Sequence, residues 1–248
     1  MSAALAGSLL VACGLGLAVL VRRLGPPQDH WSLPIPFVAL SVMVSVAAIS
    51  AESVAVMMGA GWGDPDIPLV LGLVATALGG LAAIAVALRV AKPSALGLHS
   101  PEDPRYWGIG VLGCLGMMAL TLLYTTLIQV LGAGVPTQQI MDSLADGNGV
   151  EQALLVGYGA FGAPVIEEVL FRGLLVPPLV LRFGLPGAVL ASGLLFGMAH
   201  VADPVAVFPL AVFGAGLAWL RHRSGSVLPG VLAHVLNNAV ALVVSLLG

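Results

Sequence analysis

Charge is what this sequence most lacks. Its 248 residues include nine Lys or Arg and twelve Asp or Glu, 8% in all, where soluble domains carry about 25%. A water-facing surface cannot be built from so few ions, so lipid must be the solvent around most of the chain. Cysteine is also scarce. Cys13 and Cys114 both fall in apolar stretches, which excludes a disulfide framework and reads as two small hydrophobes. A net charge of -3 offers nothing to nucleic acid. Period-2 alternation is missing, which excludes a transmembrane barrel. The opening Met1-Ser2-Ala3-Ala4 carries no basic n-region, so the first apolar run is expected to be a retained helix.

What is present is apolar sequence: 59% of the residues, with a mean hydropathy of +1.06. About 20 apolar residues span a bilayer as a helix. The chain therefore reads as an all-α polytopic transmembrane bundle of about eight spans, near 3–21, 34–58, 67–91, 106–132, 151–176, 186–201, 204–220 and 227–247. Gly157, Gly159 and Gly162 have the close spacing that suits tight helix approach in lipid. The polar connection 133–150, with Pro136, Asp142, Asp146 and Gly147, divides an N-terminal four-span part (1–150) from a C-terminal four-span part (151–248). Together these form one integrated membrane domain.

Basic residues set the expected orientation. Arg22, Arg23, Arg89, Lys92, Arg105, Arg182, Arg221 and Arg223 follow alternate spans, while the other connections hold only Asp64, Asp66, Asp142, Asp146, Glu151 and Asp203. The positive-inside rule makes the basic side cytoplasmic and puts both termini outside. Richness in Ala, Gly and Val with a single lysine suggests a bacterial cell membrane.

The ninth basic residue, Arg172, lies inside a span beside Glu167 and Glu168. Three such groups at mid-bilayer cost about 8–10 kcal/mol when insertion penalties are added, so they must face the bundle interior or water. Pro164 removes a helical donor just upstream and frees the carbonyl of Ala160, which predicts a kink. Glu168 and Arg172, four apart, can pair on one face, leaving Glu167 about 100° around the helix. His200 closes one apolar run. His234 lies early in the last span with Asn238 one turn on, and Asn237 lies off that face. Glu52 is a lone intramembrane carboxylate that reads as protonated and hydrogen-bonded. His30, His99 and His222 fall in connections and read as solvated.

Three motifs emerge: Glu167-Glu168-x-x-x-Arg172, Phe196-x-x-x-His200 and His234-x-x-x-Asn238. In this order they resemble the CPBP family of CAAX-processing and bacteriocin-processing membrane endopeptidases, over about 151–248. The resemblance implies a catalytic cavity in the C-terminal half and a membrane-associated protein or peptide substrate. It implies Glu167 as general base, His200 positioning water, and His234 and Asn238 donating to the oxyanion. Glu168 and Arg172 would hold Glu167 in place. A metal is a second possibility, with zinc on Glu167, His200 and His234. However, the helix-borne H-E-x-x-H pair of zincins is missing, and the metal-free route is the reading preferred here. Two other classes compete: an ion- or proton-coupled carrier, and a non-catalytic immunity or scaffold protein. Gly61-Trp62-Gly63-Asp64 imitates an aspartyl-protease motif but supplies no second aspartate, and Ser192 lacks the glycine a serine motif needs.

Depth poses a difficulty. If span six begins near Gly187, His200 lies roughly 20 Å from the inner face at 1.5 Å per residue, while Glu167 falls in the inner half of span five. Either span six starts below the surface or 177–186 is re-entrant.

Overall fold

The computed structural model describes residues 26–44, 69–132, 149–201 and 203–247. The expected span 3–21, Glu52, Asp64 and most of the 133–150 connection lie outside them. The described residues are helical, without strands. Four helices are long and apolar enough to cross a membrane, and two shorter ones are apolar. The chain divides into two compact units, Met1–Lys92 and Pro93–Gly248.

In the first unit, α1 is Pro34–Val44 and α2 is Leu69–Val90. The segment at Gln28 pairs with the end of α2: the Gln28 N–H donates to Val90 O at 2.8 Å, and the Lys92 N–H to Gln28 O at 3.0 Å. Lys92 and Asp29 close an exposed ion pair at 2.7 Å.

The second unit begins with α3, Arg105–Val130. A composite helix follows: α4, Gly149–Gly157; a π-helical segment, Tyr158–Gly162; α5, Ala163–Glu167; a second π segment, Glu168–Leu175; and α6, Val176–Met198. The kink expected at Pro164 is realised as the first π segment. The Ala163 N–H bonds five residues back to Tyr158 O, and Pro164, which has no donor, opens α5. One extra residue in a helical turn is how a helix absorbs a missing hydrogen bond without breaking.

The turn between the two legs is at Gly184, within the 177–186 stretch. Helix continues past Pro177 and Pro178, which occupy first-turn positions of α6 where no N–H is required. Gly184 then takes φ 67 and ψ 176, open only to glycine. The legs run antiparallel, since Phe171 and Phe196, about equally far from Gly184 in sequence, meet with ring centroids 5.2 Å apart. Glu167 and His200 are also about equally far from it, roughly 25 Å of helix on either side. The two residues therefore come level with each other along the paired legs. The second leg also stops at Met198, so His200 lies in the turn beyond it.

Next comes α7, Pro204–Ser224, whose first turn is capped by Asp203 accepting the Ala206 N–H at 3.3 Å. It ends at left-handed Gly225, φ 68. Last is α8, Leu228–Leu247. The close approach is between α6 and α7. A Cβ on Gly193 would lie 2.6 Å from Ala211 O, and one on Gly197 would lie 2.5 Å from Val207 O. This small-xxx-small stripe brings two backbones together where lipid provides no hydrophobic drive. Of the glycines expected to do so, Gly159 is buried and offers its carbonyl to Asn238 of α8 at 3.0 Å, while the other two behave differently. A Cβ on Gly157 would meet nothing within 4 Å, and one on Gly162 would meet Tyr158 of its own helix. Gly193→Val is therefore expected to cost about 1–3 kcal/mol through overpacking, and Gly157→Val little. Thermal unfolding in detergent reads the difference, and equal midpoints would refute this contact.

The segment before α3 is stapled to the α7–α8 turn. Arg221 Nη2 donates to Ala95 O at 2.9 Å, the Val227 N–H to Gly97 O at 3.0 Å, and Ser226 Oγ to His99 O. Gly97 has φ 78 and no room for a Cβ against Arg221. Two of the basic connections thus share one end of this unit.

Candidate active site

The composite helix, α6 and α8 bring the three motifs together. Glu168 and Arg172 are fully buried and form an ion pair, Nη1 to Oε1, at 3.0 Å. Arg172 Nη2 also donates to Gly214 O at 3.3 Å. The guanidinium carbon stacks 4.2 Å from the Phe196 ring centroid. A charge out of water needs this much company. Glycines leave room for it: a Cβ on Gly214 would approach Arg172 Nη2 to 3.2 Å, and one on Gly230 would approach Glu168 Oε2 to 2.7 Å.

His234 stands between the two acids. Its Nδ1 is 3.3 Å from Glu168 Oε1 and its Nε2 is 3.8 Å from Glu167 Oε2. A carboxylate paired with Arg172 can only accept, so Nδ1 carries the proton and Nε2 faces Glu167. Phe213 meets the imidazole edge-on at 5.6 Å. Thus Glu168 and Arg172 make their polar contacts with His234 and the Gly214 carbonyl. Sequence reasoning expected them to hold Glu167.

Glu167 differs from its neighbour. Its side chain is 25% exposed, against 0% for Glu168, and its buried Oε2 has no hydrogen-bond partner among the described residues. The structure therefore separates two adjacent glutamates that spacing alone could not: one locked in an ion pair, one open.

His200 reaches the group through Phe196, with ring centroids 5.0 Å apart. Phe196 also lies 5.6 Å from His234. The ring Nδ1 of His200 is 2.9 Å from Phe196 O. A carbonyl only accepts, so Nδ1 donates and the neutral ring keeps its lone pair on Nε2. Asn238 donates from Nδ2 to Gly159 O at 3.0 Å, which commits one of its two amide protons. Asn237 Nδ2 donates to Asn238 Oδ1 at 3.4 Å and steadies that amide.

Sequence reasoning missed Phe196 as the hub of the site, although the second motif contains it. It also missed Tyr158, whose half-buried side chain lies within electrostatic reach of Glu167. In a regular helix the two would stand about 180° apart; one π insertion reduces that to about 80°. Ser192 is fully buried in α6 with an unbonded hydroxyl. His30, His99 and His222 are exposed, as expected.

Glu167, His200 and His234 are not drawn into a metal-holding group among the described residues.

Apolar membrane-length helices around a buried acid–imidazole–guanidinium cluster define an integral membrane protein. Residues 149–240 match the family model described as type II CAAX prenyl endopeptidase Rce1-like. Over this segment the chain is similar to that family of proteases, a likeness consistent with the CPBP family and with a hydrolase. No curated protein and no solved structure matches the chain.

Proposed function

We propose that the protein is an intramembrane endopeptidase, hydrolysing peptide bonds of membrane-associated proteins or peptides with Glu167 as general base. One observation carries this reading. Glu167 is the partly exposed acid facing His234 at 3.8 Å, while Glu168 is committed to Arg172.

Glu167 takes a proton from water as the oxygen attacks the peptide carbonyl carbon. His200, its Nδ1–H held by Phe196 O, accepts a hydrogen bond at Nε2 from the second water O–H, which stays on the oxygen, and so orients the nucleophile. The oxyanion is met by the remaining Nδ2–H of Asn238 and by Nε2–H of His234. With Nδ1–H already given to Glu168, that role requires the doubly protonated ring, whose charge Glu167 balances before the attack and the oxyanion after it. Collapse breaks the C–N bond, and the proton taken by Glu167 passes to the leaving amine. No metal is needed for these steps. About eight spans, a site opening to the cytoplasmic side, a bacterial cell membrane, basic connections inside and both termini outside complete the reading. Two basic connections meeting at one end support that orientation.

A carrier is not favoured, because Glu168 is already neutralised by a residue of its own helix. The reconstituted full chain is expected to cut a lipid-anchored peptide, releasing a new amino terminus detectable by mass spectrometry, at a rate unchanged by a zinc chelator. Ion flux without cleavage would favour the carrier. Loss of activity in chelator, restored by zinc, would overturn the metal-free route.

A further inference from the structure

A second polar cluster lies outside the catalytic motifs, where the start of α3 meets the end of α7. Tyr106 is buried, 8% exposed, with arginines of two different helices near its hydroxyl. Arg105 Nη2 donates to it at 3.4 Å, and the Arg223 side chain is within electrostatic reach. Arg105 Nε pairs with Asp103 at 2.9 Å. Two cations and one carboxylate leave a single positive charge. The phenol oxygen accepts from Arg105, so its own proton is left to donate. Both arginines are exposed.

We infer that Arg105, Tyr106 and Arg223 form a binding site for the phosphodiester of an anionic phospholipid. One negative charge matches the one left over, and guanidinium forks with a phenol O–H suit phosphate oxygens. Depth fits as well. Arg105 opens one candidate span, and Arg223 lies at the close of another. Phosphates lie just beyond the hydrocarbon at such ends, where tyrosine is enriched. Exposed Leu112 and Leu115 on α3 continue from the cluster as an apolar surface for an acyl chain. The same end carries the basic connections, which face the anionic cytoplasmic leaflet under the positive-inside rule.

The test uses the full chain in mixed micelles, titrated with phosphatidylglycerol, phosphatidylcholine or inorganic phosphate, with native mass spectrometry and unfolding midpoints as readouts. Phosphatidylglycerol is expected to stay bound and raise the midpoint, and phosphatidylcholine to do so less. Arg223→Gln should weaken retention roughly tenfold or more, the scale of one charge-assisted hydrogen bond. Tyr106→Phe keeps the ring and should also weaken it, which tests the site even if an arginine variant folds poorly. Arg182→Gln removes the same charge from a separate exposed position and should retain the lipid. Equal loss in Arg182→Gln, or equal retention of the two lipids, would overturn the site. Stabilisation by inorganic phosphate alone would overturn its assignment to lipid.

Discussion

Glu167→Gln is expected to abolish cleavage while leaving a folded protein. A positioned general base contributes about 10²–10⁴ in rate, and the amide cannot take a proton from water. Little stability should be lost. The side chain is a quarter exposed, its nearest charged partner is 3.8 Å away, and its buried oxygen makes no hydrogen bond. Glutamine is also isosteric, so packing beside His234 survives. Single-turnover cleavage of an anchored peptide, beside the unfolding midpoint of the same preparation, reads both properties. A Gln variant that cuts at the parent rate would remove Glu167 from the chemistry. A variant that fails to fold would show that the residue is structural.

Arg172→Met should do the opposite, with loss of folded protein as its first effect. Removing one partner of a buried ion pair leaves the other charge uncompensated, at about 3–5 kcal/mol. Against a total stability of about 5–15 kcal/mol, that is a large share. Arg172 holds Glu168 at 3.0 Å, Gly214 O at 3.3 Å and the Phe196 ring, so its loss also disturbs the hub on which both histidines rest. Adding Glu168→Gln removes the stranded charge and should restore part of the lost stability without restoring activity, because His234 then loses its carboxylate anchor. Size-exclusion profiles and unfolding midpoints of the four forms complete the cycle. Strict additivity would mean that the two side chains do not depend on each other.

These two residues show how far the site was legible before any coordinates. Their types and spacing already mark an intramembrane cluster, and the i,i+4 relation of Glu168 and Arg172 anticipates their pairing. What stayed hidden was the division of labour between adjacent glutamates. That depends on which carboxylate meets a guanidinium in a packed interior and which stays partly exposed. Tyr158 was hidden for a related reason. A π insertion changes helix phase by about a residue, and any face assignment made on a regular helix drifts past it.

Gly184 shows the same limit along the helix axis. Three prolines between 177 and 186 draw attention as breakers, yet two stand where a helix tolerates them, and the glycine between makes the turn. Placed there, it brings Glu167 and His200 level along the paired legs. The glycine run was legible only in part: Gly159 does meet another helix, but Gly193 and Gly197 were passed over, because only the packed partner reveals which glycine lacks room for a Cβ.

By itself, then, the amino-acid order determined the lipid environment, the helical class and the acid, imidazole and amide groups of the site. Solvation cost and residue spacing act locally and can be counted along a chain. Tertiary structure alone decided which glutamate stays open, which nitrogen of each histidine is spoken for, and that Phe196 joins them. Those outcomes depend on distances between segments far apart in sequence, and a few ångströms between side chains separate a buried ion pair from an open carboxylate.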